Sequence, residues 1–155
     1  MLRFAGKEIW DMEESLLKFS EASPSLSTKI TIDQAMQQAI ADHKQGKLKE
    51  AKAVYEEVLK VVPSHPDANH NLGALLVALH QSNHALKFLQ TALKLNEQVE
   101  QFWLSYIDAL INLDNLYEAN DAITKAKSLG FAGTKFEIFE ERILSPSQLL
   151  AKGKL

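Results

Sequence analysis

The chain of 155 residues has 17 lysines and arginines, 20 aspartates and glutamates, and no cysteine. This nearly balanced charge, spread along the chain, excludes the clustered basic footprint of a nucleic-acid-binding protein, and the lack of cysteine excludes disulfides and thiolate metal sites. The 46% of hydrophobic residues can form a buried core, but no apolar run approaches the roughly 20 residues of a membrane span.

The first predicted element is an amphipathic N-terminal helix. Ile9, Leu16 and Phe19 fall on one helical face, and the polar residues 20–29 follow as a linker. The acidic segment lacks an unbroken apolar stretch, so it does not match a secretion signal. We therefore predict residues 1–29 as one helix plus linker. The helix would cap the structure that follows, dock into a groove of this molecule or a neighbour, stay mobile, or pair with a partner.

Residues 32–133 repeat one pattern three times. Ala51, Ala85 and Ala119 fall at the same place in three successive copies, which are of equal length. Each copy contains two stretches with apolar residues at helical spacing, separated by a break such as that at Gly46. Self-similarity at this period indicates stacked helical repeats. We predict three helix-turn-helix units, at residues 32–65, 66–99 and 100–133.

The second copy begins with a helix-start signal. Pro66 suits the first turn of a helix, where its missing N–H costs nothing. Ser64 precedes it, and Asp67 follows three residues after Ser64, as in a capped helix start. We therefore predict Ser64 as the N-cap of this helix.

Two further helices are predicted after the third copy. Thr134 and Glu137 form a capping-box pattern in front of an apolar stripe. The first helix should span residues 135–144, and Ser145 should cap a short second helix. Together these elements make residues 134–155 a C-terminal cap, which a stack of repeats needs in order to end in water.

The residues that recur are those of a known 34-residue motif. Leu72, Gly73 and Ala85 stand in the second copy, and Trp103 in the third, at positions of the pattern W-x2-L-G-x2-Y followed by A-x3-F. Asn69 replaces the usual tryptophan in the second copy. On these residues the chain resembles the tetratricopeptide repeat family. The resemblance implies an all-α superhelix of three helix-turn-helix repeats with extra N- and C-terminal helices.

The resemblance also implies where a partner binds. In stacks of this family the first helices of the hairpins line a concave groove that takes a peptide or protein segment. Amide side chains there could hydrogen-bond an extended peptide backbone. The peptide-binding residues implied in this chain are Gln37, Ile40, His70, Asn71, Ala74, Gln101, Ser105, Asp108 and Asn112.

One partner class of the family does not fit this sequence. Co-chaperone members grip the C-terminal carboxylate of heat-shock chaperones with Lys, Asn, Asn, Lys and Arg. Here only the second asparagine is retained, and a clamp without its cations cannot hold a carboxylate. The five matching positions are Met36, Ile40, Asn71, Gln101 and Ser105.

Four of the five histidines lie between His65 and Leu89. His80 and His84 have the spacing of a helical metal pair, but the predicted turn intervenes, and a zinc site needs further ligands. No nucleophile elbow, phosphate loop or paired-carboxylate motif stands out. We therefore predict no catalytic residue, no metal and no cofactor.

The third copy is acidic. Asp108, Asp114, Glu118 and Asp121 lie within it. Such charges ordinarily form a solvated face, and the alternative is a patch that attracts a basic partner.

These features together predict a non-enzymatic cytoplasmic adaptor that binds a protein or peptide, with neither nucleic acid nor a membrane as partner. An alternative is the targeting or substrate-recruiting arm of a larger bacterial enzyme such as a glycosyltransferase. Residues 65–73 and 102–131 resemble repeat regions that precede glycosyltransferase, methyltransferase or sulfotransferase domains. Self-association through the N-terminal helix is a further alternative.

Overall fold

The computed structural model describes residues 31–144, which form seven α-helices joined by short turns. Consecutive helices pack against one another. The predicted N-terminal helix and the predicted second C-terminal helix lie outside the described residues. The helices are α1 (Ile32–Lys44), α2 (Leu48–Val61), α3 (Pro66–Ala78), α4 (Ser82–Leu95), α5 (Glu100–Asn112), α6 (Leu116–Ser128) and α7 (Thr134–Ile143).

The helix starts follow the period of the sequence. Helices α1, α3, α5 and α7 begin at residues 32, 66, 100 and 134, and helices α2, α4 and α6 begin at residues 48, 82 and 116. Ala51, Ala85 and Ala119 are the fourth residues of α2, α4 and α6, and all three are 0% exposed. The predicted all-α superhelix of helix hairpins is confirmed. Helix α7 continues the register of the first helices of the hairpins.

The stack curves because its two layers of helices pack differently. The first helices of the hairpins, α1, α3 and α5, contact the next first helix as well as their own partners. The second helices, α2, α4 and α6, pack mainly against first helices. The layer with direct neighbour contacts is therefore the inner, concave wall, and α7 extends this wall beside α5.

A glycine lets the two helices of the second hairpin approach closely. A Cβ atom added to Gly73 of α3 would lie 2.6 Å from Cγ of Leu89 in α4. Leu89 is fully buried, so it has no solvent space into which to move. The requirement for glycine here comes from packing against a large neighbour.

Asn69 and Trp103 occupy the same repeat position and make equivalent hydrogen bonds. Asn69 Nδ2 donates to the carbonyl of Pro63 at 2.9 Å, and Trp103 Nε1 donates to the carbonyl of Glu97 at 2.8 Å. Asn69 donates a second bond, also of 2.9 Å, to the carbonyl of His65. The residue that departs from the family pattern thus keeps the bond that ties its helix to the preceding loop.

Asp42 of α1 is a second buried polar residue with partners inside the fold. It is buried, and its carboxylate accepts hydrogen bonds from Gln38 Nε2 at 3.1 Å and from Lys47 Nζ at 3.4 Å. These partners offset the cost of burying the charge. Burial, reinforced by the charge of Asp42, raises the pKa of Tyr55 to about 12.

The N-cap of α3 is His65, and the prediction of Ser64 is wrong. His65 has an extended backbone, and its Nδ1 accepts a hydrogen bond of 3.2 Å from the N–H of Ala68. Pro66 is the first helical residue, as predicted. The residue directly before it therefore has the cap position, and its imidazole nitrogen takes the role of a serine hydroxyl.

The start of α7 also differs from the prediction. The N-cap is Gly133, with φ of 130°, and no side chain caps the helix. Thr134 is already helical, so the capping box that it was predicted to form with Glu137 is absent from α7. The helix spans Thr134–Ile143 instead of residues 135–144. Glycine takes this place because its backbone angle is one that side chains rarely allow.

The turns within the three hairpins share a left-handed residue. Gly46, His80 and Asp114 occupy the same repeat position and have φ angles of 79°, 58° and 59°. Glycine adopts this angle without strain, whereas histidine and aspartate adopt it at a cost. The fold therefore imposes one backbone geometry on three different side chains.

Replacing His80 with glycine is expected to raise the free energy of unfolding by about 0.5–1 kcal/mol, because the change relieves left-handed strain. The His80 side chain is exposed, so little packing is lost. Urea unfolding would measure the effect. His80→Ala is the control, since alanine keeps the Cβ atom and should give no such gain. A glycine variant less stable than the wild type would show that the left-handed backbone of His80 is not strained.

Candidate functional site

An open cleft lies on the concave wall between α1 and α3. It has a volume of about 450 Å³ and brings together three of the predicted groove residues, Gln37, Ile40 and Asn71. Buried Met36 and half-buried Ile40 give it an apolar floor, whereas Gln37 is exposed. The cleft is lined by Asp33, Met36, Gln37, Ile40, His65, Asp67 and Asn71.

Two carboxylates stand at one end of this cleft. Asp33 and Asp67 are the second residues of α1 and α3, and both are exposed. Equivalent helices run in the same direction in a repeat stack, so both carboxylates lie near helix N-termini, which stabilise negative charge. Neither forms an ion pair with another residue between positions 31 and 144. Their charge is therefore available to a cationic group on a ligand.

His70 is buried at the junction of the second and third hairpins. Its ring stacks on Phe102 with 4.7 Å between centroids, and its Nε2 lies 2.9 Å from Oγ of Ser105. Its Nδ1 lies 3.2 Å from Oδ1 of Asn71. Because that oxygen can only accept, Nδ1 carries the proton and Nε2 accepts from the serine hydroxyl. Burial lowers the pKa of His70 below its usual range, although the bond to Asn71 and the charge of Asp67 oppose the shift.

This network orients Asn71. Since Oδ1 of Asn71 faces His70, its Nδ2 is left to donate toward the cleft that Asn71 lines. No described residue accepts a hydrogen bond from that amide. His70 and Ser105 therefore do not line the cleft themselves, but they fix the orientation of the Asn71 amide that does.

In the third hairpin, an arginine of α7 bonds to two of the predicted groove residues. Arg142 Nη1 donates to Asp108 Oδ1 at 2.8 Å, and its Nη2 donates to Asn112 Oδ1 at 3.2 Å. Asn112 Nδ2 also lies 3.3 Å from the carboxylate of Asp108. The side chains of Asp108 and Asn112 are thus paired within the fold, unlike the carboxylates of Asp33 and Asp67 in the cleft.

The two remaining predicted residues lie between these regions. Ala74 is half-buried on α3, one turn after His70. Gln101 is exposed on α5, with its Nε2 at 3.5 Å from Oγ of Ser105. The structure therefore divides seven of the nine predicted residues among the open cleft, the His70–Ser105 network and the pairing with Arg142, and it places Ala74 and Gln101 between these regions.

The sequence prediction did not include Arg142, although a signal for it existed. Ile40, Ala74, Asp108 and Arg142 follow one another at the repeat period, so they share one register position. Extending the repeat register beyond the third copy would have placed Arg142 on the concave wall. His65 was not among the predicted groove residues either, although it lines the cleft.

His80 and His84 lie near each other but do not form a metal-binding group with other described residues. His80 precedes α4 and His84 lies inside it, and both line a second cleft of about 590 Å³ together with Asp108 and Asn112. Within residues 31–144, no group of three or more His, Asp or Glu side chains is arranged to hold a metal ion. In the same part of the chain, no helix has the length and apolar character needed to cross a bilayer.

A comparison with family models matches residues 42–104 to the tetratricopeptide repeat. The comparison of the sequence with curated proteins found no match. The matched segment includes the second hairpin and the first turns of α5. It thus contains the cleft residues His65, Asp67 and Asn71.

Solved structures with a similar fold include peptide complexes. The first tetratricopeptide domain of Spaghetti (RPAP3), bound to the HSP90 peptide SRMEEVD, is 22% identical, with a TM-score of 0.69 over 77% of this chain and 93% of that chain. The Sgt2 domain from Aspergillus fumigatus is 17% identical, with a TM-score of 0.68 over 80% of this chain and 83% of that chain.

A bacterial structure is similar as well. The Yersinia enterocolitica type III secretion chaperone SycD, in complex with a peptide of the translocator YopD, is 19% identical, with a TM-score of 0.62 over 78% of this chain and 90% of that chain. These similarities establish the fold. Together with the family-model match over residues 42–104 and the regular register of the helices, they identify tetratricopeptide repeats in this chain.

Proposed function

We propose that this protein is a non-enzymatic adaptor that binds an extended peptide segment in the cleft between α1 and α3. The observation that carries the proposal is the convergence of Gln37, Ile40 and Asn71 on one open cleft of the concave wall. In this assignment Asn71 Nδ2 donates to a backbone carbonyl of the peptide, and the apolar floor takes one of its side chains.

The charges of the cleft favour a neutral or basic peptide. Asp33 and Asp67 are exposed carboxylates without ion-pair partners among the described residues, and the cleft lining contains no lysine or arginine. A lysine or arginine of the peptide would meet these carboxylates, whereas an acidic peptide would be repelled. We expect a short interface of this kind to have a Kd near micromolar, which corresponds to a binding free energy of about 8 kcal/mol.

This peptide differs from the one seen with the similar RPAP3 domain. The HSP90 peptide SRMEEVD carries three acidic side chains near its end. In this chain the positions that match the cations of the family's carboxylate clamp hold Met36, Gln101 and Ser105. We therefore propose a partner outside the chaperone C-termini.

We further propose that residues 32–65, 66–99 and 100–133 act as three repeats, with residues 1–29 and 134–155 as terminal elements. No catalytic residue, metal or cofactor is assigned. The proposed location is cytoplasmic.

Substituting Asn71 with alanine is expected to weaken peptide binding by about tenfold, because a buried backbone carbonyl of the peptide would lose its donor. The peptide would come from a phage-displayed library selected on the full chain, and calorimetry would give its Kd. Enrichment of lysine and arginine in the selected sequences is expected as well.

Asn120→Ala is the matched control, since it removes an exposed amide from α6, outside the cleft. It should leave the Kd unchanged. Selection of acidic C-terminal peptides would contradict the proposed preference for a neutral or basic peptide. An equal Kd for Asn71→Ala and wild type would show that the cleft is not the binding site.

A further inference from the structure

A second groove lies on the outer side of the stack, between α4 and α6. We call it the convex groove. It has a volume of about 860 Å³, compared with about 450 Å³ for the concave cleft, and Trp103 and Tyr106 of α5 lie along it. Its two walls are the C-terminal half of α4, from Gln90 to Leu95, and residues 117–125 of α6.

The convex groove exposes apolar surface. Tyr117 is 84% exposed and Leu95 is 42% exposed, and they are two of the three large hydrophobic residues that residues 31–144 leave exposed. Both line this groove. Single exposed hydrophobic residues are common, but two that face one groove mark a surface suited to a partner.

The wall formed by α6 also carries unpaired negative charge. Glu118 and Asp121 are exposed and form no ion pair within residues 31–144. Lys125 is already engaged, because its Nζ lies 3.2 Å from Glu97 and 5.4 Å from the centre of the Trp103 ring. Lys94, on the opposite wall, is the other cation in the lining.

Tyr117 lies close to both carboxylates along the helix. Tyr117 and Asp121 are four residues apart on α6, so they share a face, and Glu118 is adjacent to that face. An arginine or lysine there can lay its stem or its guanidinium on the exposed ring while its charge meets the carboxylates. Leu95 offers apolar contact from the other wall.

We propose that the convex groove binds an amphipathic segment of a second protein, with apolar side chains toward Leu95 and Tyr117 and arginine or lysine toward Glu118 and Asp121. This site is independent of the concave cleft. With both faces occupied, the protein would join two partners at once.

The test uses two synthetic helical peptides that share a leucine stripe and differ only in carrying arginine or glutamate along one edge. Each would be titrated into the isotope-labelled full chain, and NMR chemical-shift changes would locate the binding site. We expect the arginine peptide to shift the amides of Leu95, Tyr117 and Asp121. The glutamate peptide should not shift them.

The double variant Glu118→Gln and Asp121→Asn should raise the Kd of the arginine peptide about fivefold to tenfold, because two exposed charge contacts are lost. The control, Glu50→Gln with Glu137→Gln, removes two exposed carboxylates elsewhere and makes the same change in net charge. It should leave the affinity unchanged. Circular dichroism would verify that both variants stay folded.

Other outcomes would overturn the inference. Equal binding of both peptides would mean that the carboxylates contribute no selectivity. Shifts confined to Gln37, Ile40 and Asn71 would move the site to the concave cleft, which would support the proposed function and refute this one. Concentration-dependent association of the free chain through Tyr117, seen by sedimentation, would make a second copy the occupant instead of a basic partner.

Discussion

Replacing Gly73 with valine is expected to lower the free energy of unfolding by about 3 kcal/mol, the upper end of the usual cost of overpacking. The Cβ atom would lie 2.6 Å from Cγ and 2.7 Å from Cδ2 of Leu89, and 3.4 Å from the carbonyl oxygen of Ala85. Leu89 and Ala85 are both fully buried, so relief requires the helices of the second hairpin to separate. Urea unfolding followed by circular dichroism would measure the loss.

A double variant tests whether the cause is the clash with Leu89. Leu89→Ala alone should cost about 3 kcal/mol through the cavity that it leaves. Combined with Gly73→Val, it should cost clearly less than the sum of the two, because the valine fills part of that cavity. Ala78→Val, at the exposed end of the same helix, is the control and should cost only about 0.5 kcal/mol of helix propensity. Simple additivity would indicate that the clash is not with Leu89.

Replacing Phe136 with alanine is expected to lower the free energy of unfolding by about 4 kcal/mol, because it leaves a cavity where a side chain that is 0% exposed was packed. Phe136 anchors α7 in the second core cluster, which also contains Trp103 and Leu104 of α5. Loss of the anchor should detach α7 from α5 and α6 before the rest of the stack unfolds, since these are the two described helices that it contacts.

Hydrogen exchange would follow this detachment helix by helix. Amides of α7 should lose protection first, and the pairing of Arg142 with Asp108 and Asn112 should be lost with them. Ile138→Ala on the same helix is the matched control, since Ile138 is 49% exposed and should cost less than about 1 kcal/mol. Equal exchange in α3 and α7 of the Phe136 variant would contradict an end-first opening.

The repeat period alone was sufficient to predict the helix layout. The strictly constant spacing between Ala51, Ala85 and Ala119 placed three hairpins without gaps, and the helices begin at that same spacing. This prediction succeeds because each hairpin buries the same faces against its neighbours. The positions of small and large residues then repeat with the structure.

The helix ends were predicted less well. Ser64 and Thr134 have the residue types of N-caps, but His65 and Gly133 take those places. A cap depends on which residue has the non-helical backbone angle, and a shift of one residue changes the partner of each N–H group. Residue type alone does not determine that angle.

The candidate site shows the same division. The resemblance to the tetratricopeptide repeats implied Gln37, Ile40 and Asn71 as groove residues, and all three line one cleft. The sequence did not indicate that His70 is buried against Phe102 and Ser105, because these contacts join residues of different hairpins.

The sequence by itself determined the period, the helix pairs, and the small residues at their crossings, because these depend on contacts that recur from one repeat to the next. Only the tertiary structure decided which polar groups remain available. Asn71 keeps an N–H donor for the cleft because its side-chain oxygen is hydrogen-bonded to His70. The carboxylate of Asp108 is not available to a ligand in the same way, because Arg142 of α7 donates a hydrogen bond to it. The reason is physical: hydrogen bonds and ion pairs between distant residues depend on how the helices stack, and the repeat period sets only where each helix begins.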